Sequence, residues 1–566
     1  MRLYTKLGSG LVLLAVLTLS SCSGVGSNRP SVPAPPSSVQ LTVSKTGAGA
    51  VTSNPAGINC GSTCTASFNS GTTVTLTATP SAGSVFAGWS GACSGTGPCS
   101  LTLSAATSTA ATFNAAVTGS LQSINHIIFM AQENRGFLQY FGALPQYWAN
   151  SNGQYSMEKF DGLPQFNAPP GPVPSIPGCD PTLPPPNLCS YDPNNAVQSY
   201  HAVNKCTEGL SPWWNQSHHD FNYNDPLSTT PTLDGYVIMA ANFARKHPNY
   251  NDVNGIRSMG YYTGDDLNYY YFMASNFATS DRWFSPTLSD TATNRMYLLA
   301  ATSSGRVRQR PATDGLSNDQ TIFEALQKAG ISWKVYVSDP NPTLIAGSAM
   351  SQYSFTYNAN AQQNFVPAAQ FKTDAVNGTL PQVAMIEPGY IDGTDEHPFD
   401  NALAPGGSVQ AGARYVSGLI NTLMTSQSWK DSAFILTFDE FGGFYDNVPP
   451  QPAVSPDGIS PIDLQPGDGC YGGSTSPTCN FMYTGYRVPL IVVSPFTKRH
   501  YVSHTVADFT AILKFIETRF NVSNLTARDA AQMDMTEVFD FTNPPWMTPP
   551  SPPAQVVTGP CDNAVP

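Results

Sequence analysis

Two long apolar runs, Ile124–Met130 and Ala433–Phe438, each end in acidic side chains, and these junctions constrain the fold more than any other feature. The first leads into Ala131-Gln132-Glu133-Asn134-Arg135. The second leads directly into Asp439-Glu440-Phe441-Gly442-Gly443. A strand that is apolar at every position is buried on both faces, as in a parallel sheet covered by helices. Leu490–Val493, Trp333–Val337 and Val383–Ile386 read the same way. Between them Leu267–Phe277, Thr321–Ala329, Tyr415–Met424 and Val506–Phe520 carry helical spacing. This alternation over residues 120–545 predicts an α/β domain with a mostly parallel sheet flanked by helices. Ligands of such sheets gather beyond the carboxyl ends of the strands. Two acids leaving a dry strand are costly without a counter-ion. Oxygen donors from Glu, Asn and Asp suit a hard divalent cation. The competing reading is that Arg135 or Arg487 neutralises an acid.

The N-terminal part reads differently. Arg2 and Lys6, an apolar run Leu11–Leu19 and then Ser20-Ser21-Cys22 predict an export signal over residues 1–22. Leu-Ser-Ser-Cys resembles a bacterial lipobox, which would acylate Cys22 and give the chain membrane contact; ordinary cleavage near Ser21 is the alternative. Residues 23–38 form a Pro/Ser-rich tether. Residues 39–116 read as a small β module, with alternation clearest where Val74, Leu76 and Ala78 share a face. From Val39 to Phe113 there is no Asp, Glu or His, so acid–base chemistry is excluded there. Residues 546–566 form a Pro-rich tail. Export accounts for the cysteines: leaving out Cys22, the other ten predict disulfides, with Cys60/Cys64 and Cys93/Cys99 as local staples. Zinc held by those four thiols is the weaker reading. The sequence leaves the pairing of Cys179, Cys189, Cys206, Cys470, Cys479 and Cys561 open. A net charge of -12 without late Lys/Arg runs excludes nucleic acid as a partner.

Motifs sharpen this. INHIIFMAQENRGFLQYFGAL (Ile124–Leu144), TFDEFGGFYDNVPP (Thr437–Pro450), RVPLIVVSPF (Arg487–Phe496) and FIETRF (Phe515–Phe520) resemble, in order, the blocks of the bacterial phosphoesterase family that contains phospholipase C enzymes and an acid phosphatase branch. GTTVTLTATPSAGSVFAGWSGAC resembles an internalin-B-type B-repeat, which implies a spacer or binding module. The phosphoesterase resemblance implies an alkaline-phosphatase-like fold and hydrolysis of phosphate esters, with a phospholipid headgroup among the substrates. It also implies a divalent metal of unknown identity held by Glu133, Asn134, Asp439 and Glu440.

The family's hydroxyl nucleophile maps onto Thr291 in Ser289-Asp290-Thr291-Ala292-Thr293-Asn294-Arg295, with Thr293 as competitor. NRMYLLAA reads as a helix, so Thr291 would sit near a helix N-terminus, whose amides favour phosphate; a simple helix cap is the alternative. His397, in Asp395-Glu396-His397-Pro398, and His218 are expected to assist catalysis. Asn294, Arg295 and Glu396 are expected to contact substrate. His126 reads as structural and His504 as a surface or capping residue. The sequence departs from the family pattern at Gly136, Leu138, Ser289-Asp290, Thr293 and Phe509, so altered specificity or reduced activity is expected. Two alternatives stand beside this one: an adhesin on a degenerate scaffold, and a sulfuryl-transfer enzyme.

Overall fold

The computed structural model describes residues 37–81, 84–115, 119–339, 343–399 and 407–561. The export signal, Cys22 and nearly all of the tether lie outside the described residues. The rest falls into two compact units that divide after Ala115.

The smaller unit is all-β. One four-stranded sheet places Ser38–Thr46 between Thr65–Asn69 and Thr107–Ala115, with Ser84–Gly91 at its edge. The other orders Asn59–Cys60, Gly49–Asn54, Thr73–Pro80 and Cys99–Thr102. Val74 and Leu76 are fully buried while Thr73 and Thr77 are exposed, the predicted alternation. Leu41, Val43, Val51, Trp89 and Phe113 complete its core. Cys60–Cys64 and Cys93–Cys99 are disulfides.

The larger unit is built on an eight-stranded sheet. Its strands are β1 (His126–Gln132), β2 (Ala278–Ser280), β3 (Trp333–Val337), β4 (Phe365–Pro367), β5 (Val383–Ile386), β6 (Ser432–Phe438), β7 (Ile491–Val493) and β8 (Tyr501–Ser503). Their order is β4-β3-β5-β1-β6-β7-β2-β8, and only β7 runs antiparallel to its neighbours. Around it lie α1 (Trp214–Phe221), α2 (Tyr236–Lys246), α3 (Asn268–Asn276), α4 (Thr291–Ala300), α5 (Ile322–Lys328), α6 (Ala369–Asn377), α7 (Val409–Met424) and α8 (Ala511–Phe520). Helix α7 begins earlier than its apolar spacing predicts, because the Ser408 side chain caps it by accepting from the Ala411 amide. The stretch before α8 is instead a short bridge at Ala507–Asp508. A β-hairpin of Ser175–Cys179 and Tyr191–Gln198 is clasped by Cys179–Cys189. Cys470–Cys479 closes a further loop, and Cys206–Cys561 fastens the tail. Among the described residues no helix is long and apolar enough to cross a membrane.

The topology places acids in a row. β3, β5, β1 and β6 are consecutive and parallel, and the chain leaves them through Asp339, Glu387, Glu133 and Asp439. Register pairs Phe438 with Gln132, so the ends of β1 and β6 are level.

Behind α4, α8 carries a buried acid that makes a pH prediction. Glu517 lies against Asp529, and its Oε1 accepts no hydrogen bond. Burial first, and the Asp529 carboxyl second, push it from 4.5 up to about 9. The folded value is the higher one, so the native fold holds the proton longer. Stability is therefore lost as pH climbs from the unfolded towards the folded value. Glu517→Gln is expected to leave the Tm unchanged at about pH 4 and raise it increasingly towards about pH 9, read by scanning fluorimetry.

Candidate active site

Each element delivers its side chain for a local reason. β1 ends at Gln132, and Asn134 takes the left-handed conformation (φ 53°) that asparagine tolerates, turning the chain off the sheet. Its amide donates to Asp439 Oδ1 at 2.9 Å, as does the Glu440 amide at 2.8 Å. Gly442 then crosses over Asn134. Its φ is +70°, and a Cβ there would stand 2.1 Å from the Asn134 carbonyl, so the glycine after Asp-Glu is a packing requirement. α4 starts one residue after Asp290, whose side chain caps it by accepting from the Thr293 amide. Thr291 is therefore not the cap but the first helical residue, and its hydroxyl is not spent on capping. That hydroxyl lies 3.0 Å from Asn134 Oδ1 and 3.3 Å from Glu133 Oε2. Thr293 is fully buried, and its Oγ1 lies 3.3 Å from Asp290 Oδ1 within its own turn.

Arg295, one helical turn after Thr291, enters the same cluster. Its Nη2 and Nε reach Glu133 Oε1 at 2.5 and 3.0 Å, and Nε lies 3.3 Å from Asp439 Oδ2. Its Nη1 stands 3.7 Å from Glu387 Oε2, and the Tyr390 ring lies beneath the guanidinium. Glu387 in turn accepts from Ser348 Oγ, the Ala349 amide and Tyr390 Oη. Arg135 and Arg487 do not neutralise the acids. Arg135 donates to the Glu396 carbonyl and Thr207, while Arg487 pairs with Asp446.

The charges do not balance. Glu133, Glu387, Asp439 and Glu440 are all buried around one guanidinium. Asp439 Oδ2 and Glu440 Oε1 are buried and accept no hydrogen bond. Burial raises Glu133, and burial with the Glu133 charge raises Asp439. Burial and then Asp439 hold Glu440 well above the ordinary carboxylate range, and burial pushes Asp290 up to about 6. Such a surplus calls for a further cation. Among the described residues no group of three or more His, Cys, Asp and Glu side chains forms a ready-made metal site. Here an amide and a hydroxyl stand among the carboxylates, and Arg295 takes up part of the space. The atoms that Glu133, Asn134, Asp439 and Glu440 offer are nonetheless oxygens, and Glu440 Oε1 is unengaged, which fits a hard divalent ion. The cluster opens into a cleft of 340 Å³ lined by Thr291, Arg295, Arg310, Asp339 and Tyr390.

Four other expectations fare differently. Glu396 is fully buried and accepts from Tyr140 and Tyr270 hydroxyls, each at 2.5 Å, and from Gln132 at 3.0 Å. With its oxygens thus occupied it cannot meet substrate; it braces the end of β1. Burial raises it to about 7, against those donors. Glu396→Leu, which strands both hydroxyls, is expected to cost about 3 kcal/mol by urea denaturation with KM unchanged in the folded fraction. Asn294 is also fully buried. It accepts from the Thr287 amide and donates to the Ser289 and Asp290 carbonyls, so it shapes the turn before Thr291 instead of binding substrate. His218 is not brought to Thr291. It lines a different cavity, its nitrogens lie 2.7 Å from the Trp214 carbonyl and 3.3 Å from that of Thr478, and burial lowers it to about 4. His397 stands in the loop whose Asp395 carbonyl accepts from the Glu133 amide, with Nδ1 2.6 Å from the Pro398 carbonyl. Glu387 and Asp290 were not foreseen. An acid directly after the apolar run Val383–Ile386 was the available signal for Glu387.

A hydroxyl at a helix N-terminus, set among carboxylates at the carboxyl edge of a mostly parallel sheet, is an arrangement suited to an enzyme that attacks phosphate esters on an α/β fold. The chain belongs to the phosphoesterase family, whose sequence profile matches residues 124–523. Residues 39–118 match a divergent InlB B-repeat domain. Phospholipase C B of Mycobacterium tuberculosis is 30% identical over 460 residues, 75% of this chain and 80% of that protein. The non-hemolytic phospholipase C of Burkholderia pseudomallei is 27% identical over 75% of this chain and 60% of its own length. The non-specific phospholipase C4 of Arabidopsis thaliana is 30% identical over 52% of this chain and 49% of its own. A solved alkaline phosphatase superfamily structure from Vibrio parahaemolyticus aligns at 12% identity over 62% of this chain and 74% of its own, with a TM-score of 0.28, too loose to bear on the assignment.

Proposed function

We propose that this chain hydrolyses phosphate esters of the phospholipase C type, with Thr291 as nucleophile and a divalent cation among Glu133, Asn134, Asp439 and Glu440. The observation that carries the proposal is the Thr291 hydroxyl 3.0 Å from Asn134 Oδ1 and 3.3 Å from Glu133 Oε2, in a cluster where the buried Glu440 Oε1 accepts no hydrogen bond. When bound, the cation would polarise the phosphoryl group and make the hydroxyl more acidic. Thr291 Oγ1 forms a bond to phosphorus as the bond from phosphorus to the alcohol oxygen breaks. The hydroxyl proton passes to Glu133 Oε2, and the leaving oxygen takes one from His397, which the Asp395 loop holds next to β1. The first amides of α4 and the Arg295 guanidinium favour the phosphoryl oxygens. Water then cleaves the bond from phosphorus to Thr291 Oγ1, releasing the phosphorylated headgroup (inorganic phosphate from a monoester) and restoring the hydroxyl. Phospholipid is the proposed substrate because the relatives are phospholipases C. Export is supported by ten cysteines paired in five disulfides. Release of phosphocholine from phosphatidylcholine, compared with release of phosphate from p-nitrophenyl phosphate and with and without chelator, tests the proposal. Turnover of neither ester by metal-supplemented protein would remove it.

A further inference from the structure

We infer that the mouth of the Thr291 cleft is a docking surface for a phospholipid bilayer, formed by Leu316, Tyr357 and Ile391 around Arg310. This rests on the phospholipase reading and adds where the lipid aggregate sits. Ile391 lines the cleft and is 57% exposed, and two segments bonded to lining residues carry further exposed apolar side chains, Leu316 at 43% and Tyr357 at 44%. Each is tied to the cleft wall. Ile391 lines the cleft itself, and its amide donates to Asp339 Oδ2 at 2.6 Å. Tyr357 Oη donates to the carbonyl of Ser351, a lining residue, at 2.9 Å. Ser317, next to Leu316, donates its amide to the carbonyl of Gln352, also a lining residue, at 2.7 Å.

Arg310 supplies this opening with a cation, beside the Asp339 carboxyl that also lines it. Arg310 lines the cleft and is held by the carbonyls of Gly315 and Asp314 at 2.8 and 3.2 Å. It forms no ion pair among the described residues, so its charge is available to lipid phosphates. Single exposed apolar residues are ordinary. Three on independent segments, one lining the cleft with Arg310 and Thr291 and two bonded to Arg310 or to a lining residue, suit the layered chemistry of a bilayer: phosphate above, hydrocarbon below. Docking here would bring the headgroup ester to Thr291 without removing the lipid from its layer.

The test uses vesicles of phosphatidylcholine and phosphatidylglycerol with protein carrying Thr291→Ala, so that binding is read without turnover. Adding Leu316→Gln, Tyr357→Gln and Ile391→Gln is expected to weaken vesicle sedimentation by about tenfold or more. In the otherwise intact enzyme, Leu316→Gln with Tyr357→Gln should keep kcat/KM for soluble p-nitrophenyl phosphorylcholine within about twofold while vesicle hydrolysis falls. Unchanged vesicle binding in the triple variant would overturn the proposal. So would loss of binding on Trp213→Gln with Tyr471→Gln, because those exposed rings line the separate 710 Å³ cavity. Vesicle binding that depends on the rim, with no hydrolysis of any ester by the wild type, would uphold the surface and remove the phospholipase reading.

Discussion

Thr291→Ala is expected to lower kcat for phosphate-ester hydrolysis by about a thousandfold or more, with the fold intact. The side chain is half-buried at the first position of α4 and is not its cap. Asp290 performs the capping, so alanine costs the helix little, while the one hydroxyl beside Asn134 and Glu133 disappears. Thr291→Ser should retain much of the activity. Thr293→Ala tests the competing hydroxyl, and its geometry predicts the opposite pattern. Thr293 is fully buried and turned to Asp290 and Ser289, so its loss should lower stability while sparing kcat in the folded fraction. A large loss of kcat in Thr293→Ala with none in Thr291→Ala would reassign the nucleophile.

Glu440→Gln is expected to have opposite effects with and without metal. In chelated protein Glu440 is a buried carboxylate whose Oε2 accepts from the Gly442 amide and whose Oε1 accepts from nothing. Glutamine keeps one acceptor for Gly442, removes the buried acid whose ionisation Asp439 opposes, and offers an N–H where an unengaged oxygen stood. The variant should be more stable than wild type by about 1–3 kcal/mol. With a divalent ion at a hundred times its Kd, the wild type should gain about 2.7 kcal/mol. The variant, short of one anionic ligand, should gain markedly less, reversing the order of the two Tm values. Scanning calorimetry in chelator and in titrated Ca²⁺, Mg²⁺, Mn²⁺ or Zn²⁺ reads both effects. A destabilised Glu440→Gln with an undiminished response to metal would show that the ion binds elsewhere.

What the sequence revealed of this site, and what it hid, follow from the same physics. Acids placed directly after fully apolar runs mark the carboxyl edge of a parallel sheet. Glu133 and Asp439 were therefore legible from their own segments, and Glu387 was available by the same rule. Thr291 needed the family motif, because a lone threonine before a helix is more often a cap. The role of Arg295 was only partly visible. Its spacing of four from Thr291 puts both on one helix face, but nothing local says that its guanidinium reaches Glu133 and Asp439. Glu396 and Asn294 were misread for a related reason. A polar residue in a motif can serve the substrate or the fold, and the difference lies in the partners its side chain finds. For Glu396 these are the hydroxyls of Tyr140 and Tyr270; for Asn294 they are carbonyls of its own turn. His218 failed likewise, because Thr478, which faces one ring nitrogen, arrives on a loop closed by Cys470–Cys479. In the small β unit, alternation revealed Thr73–Pro80, whereas Gly49–Asn54 and Ser84–Gly91, broken by Gly and Ser, gave no comparable signal.

Acid-quenching the metal-loaded enzyme during turnover and mapping phosphate by peptide mass spectrometry addresses the chemistry most directly. Phosphate on Thr291, present during turnover and absent when substrate is omitted, is the predicted result. Phosphate on Thr293 or another side chain, or turnover at full rate in Thr291→Ala with no phosphopeptide at all, would contradict the assignment of that hydroxyl as the group that attacks phosphorus.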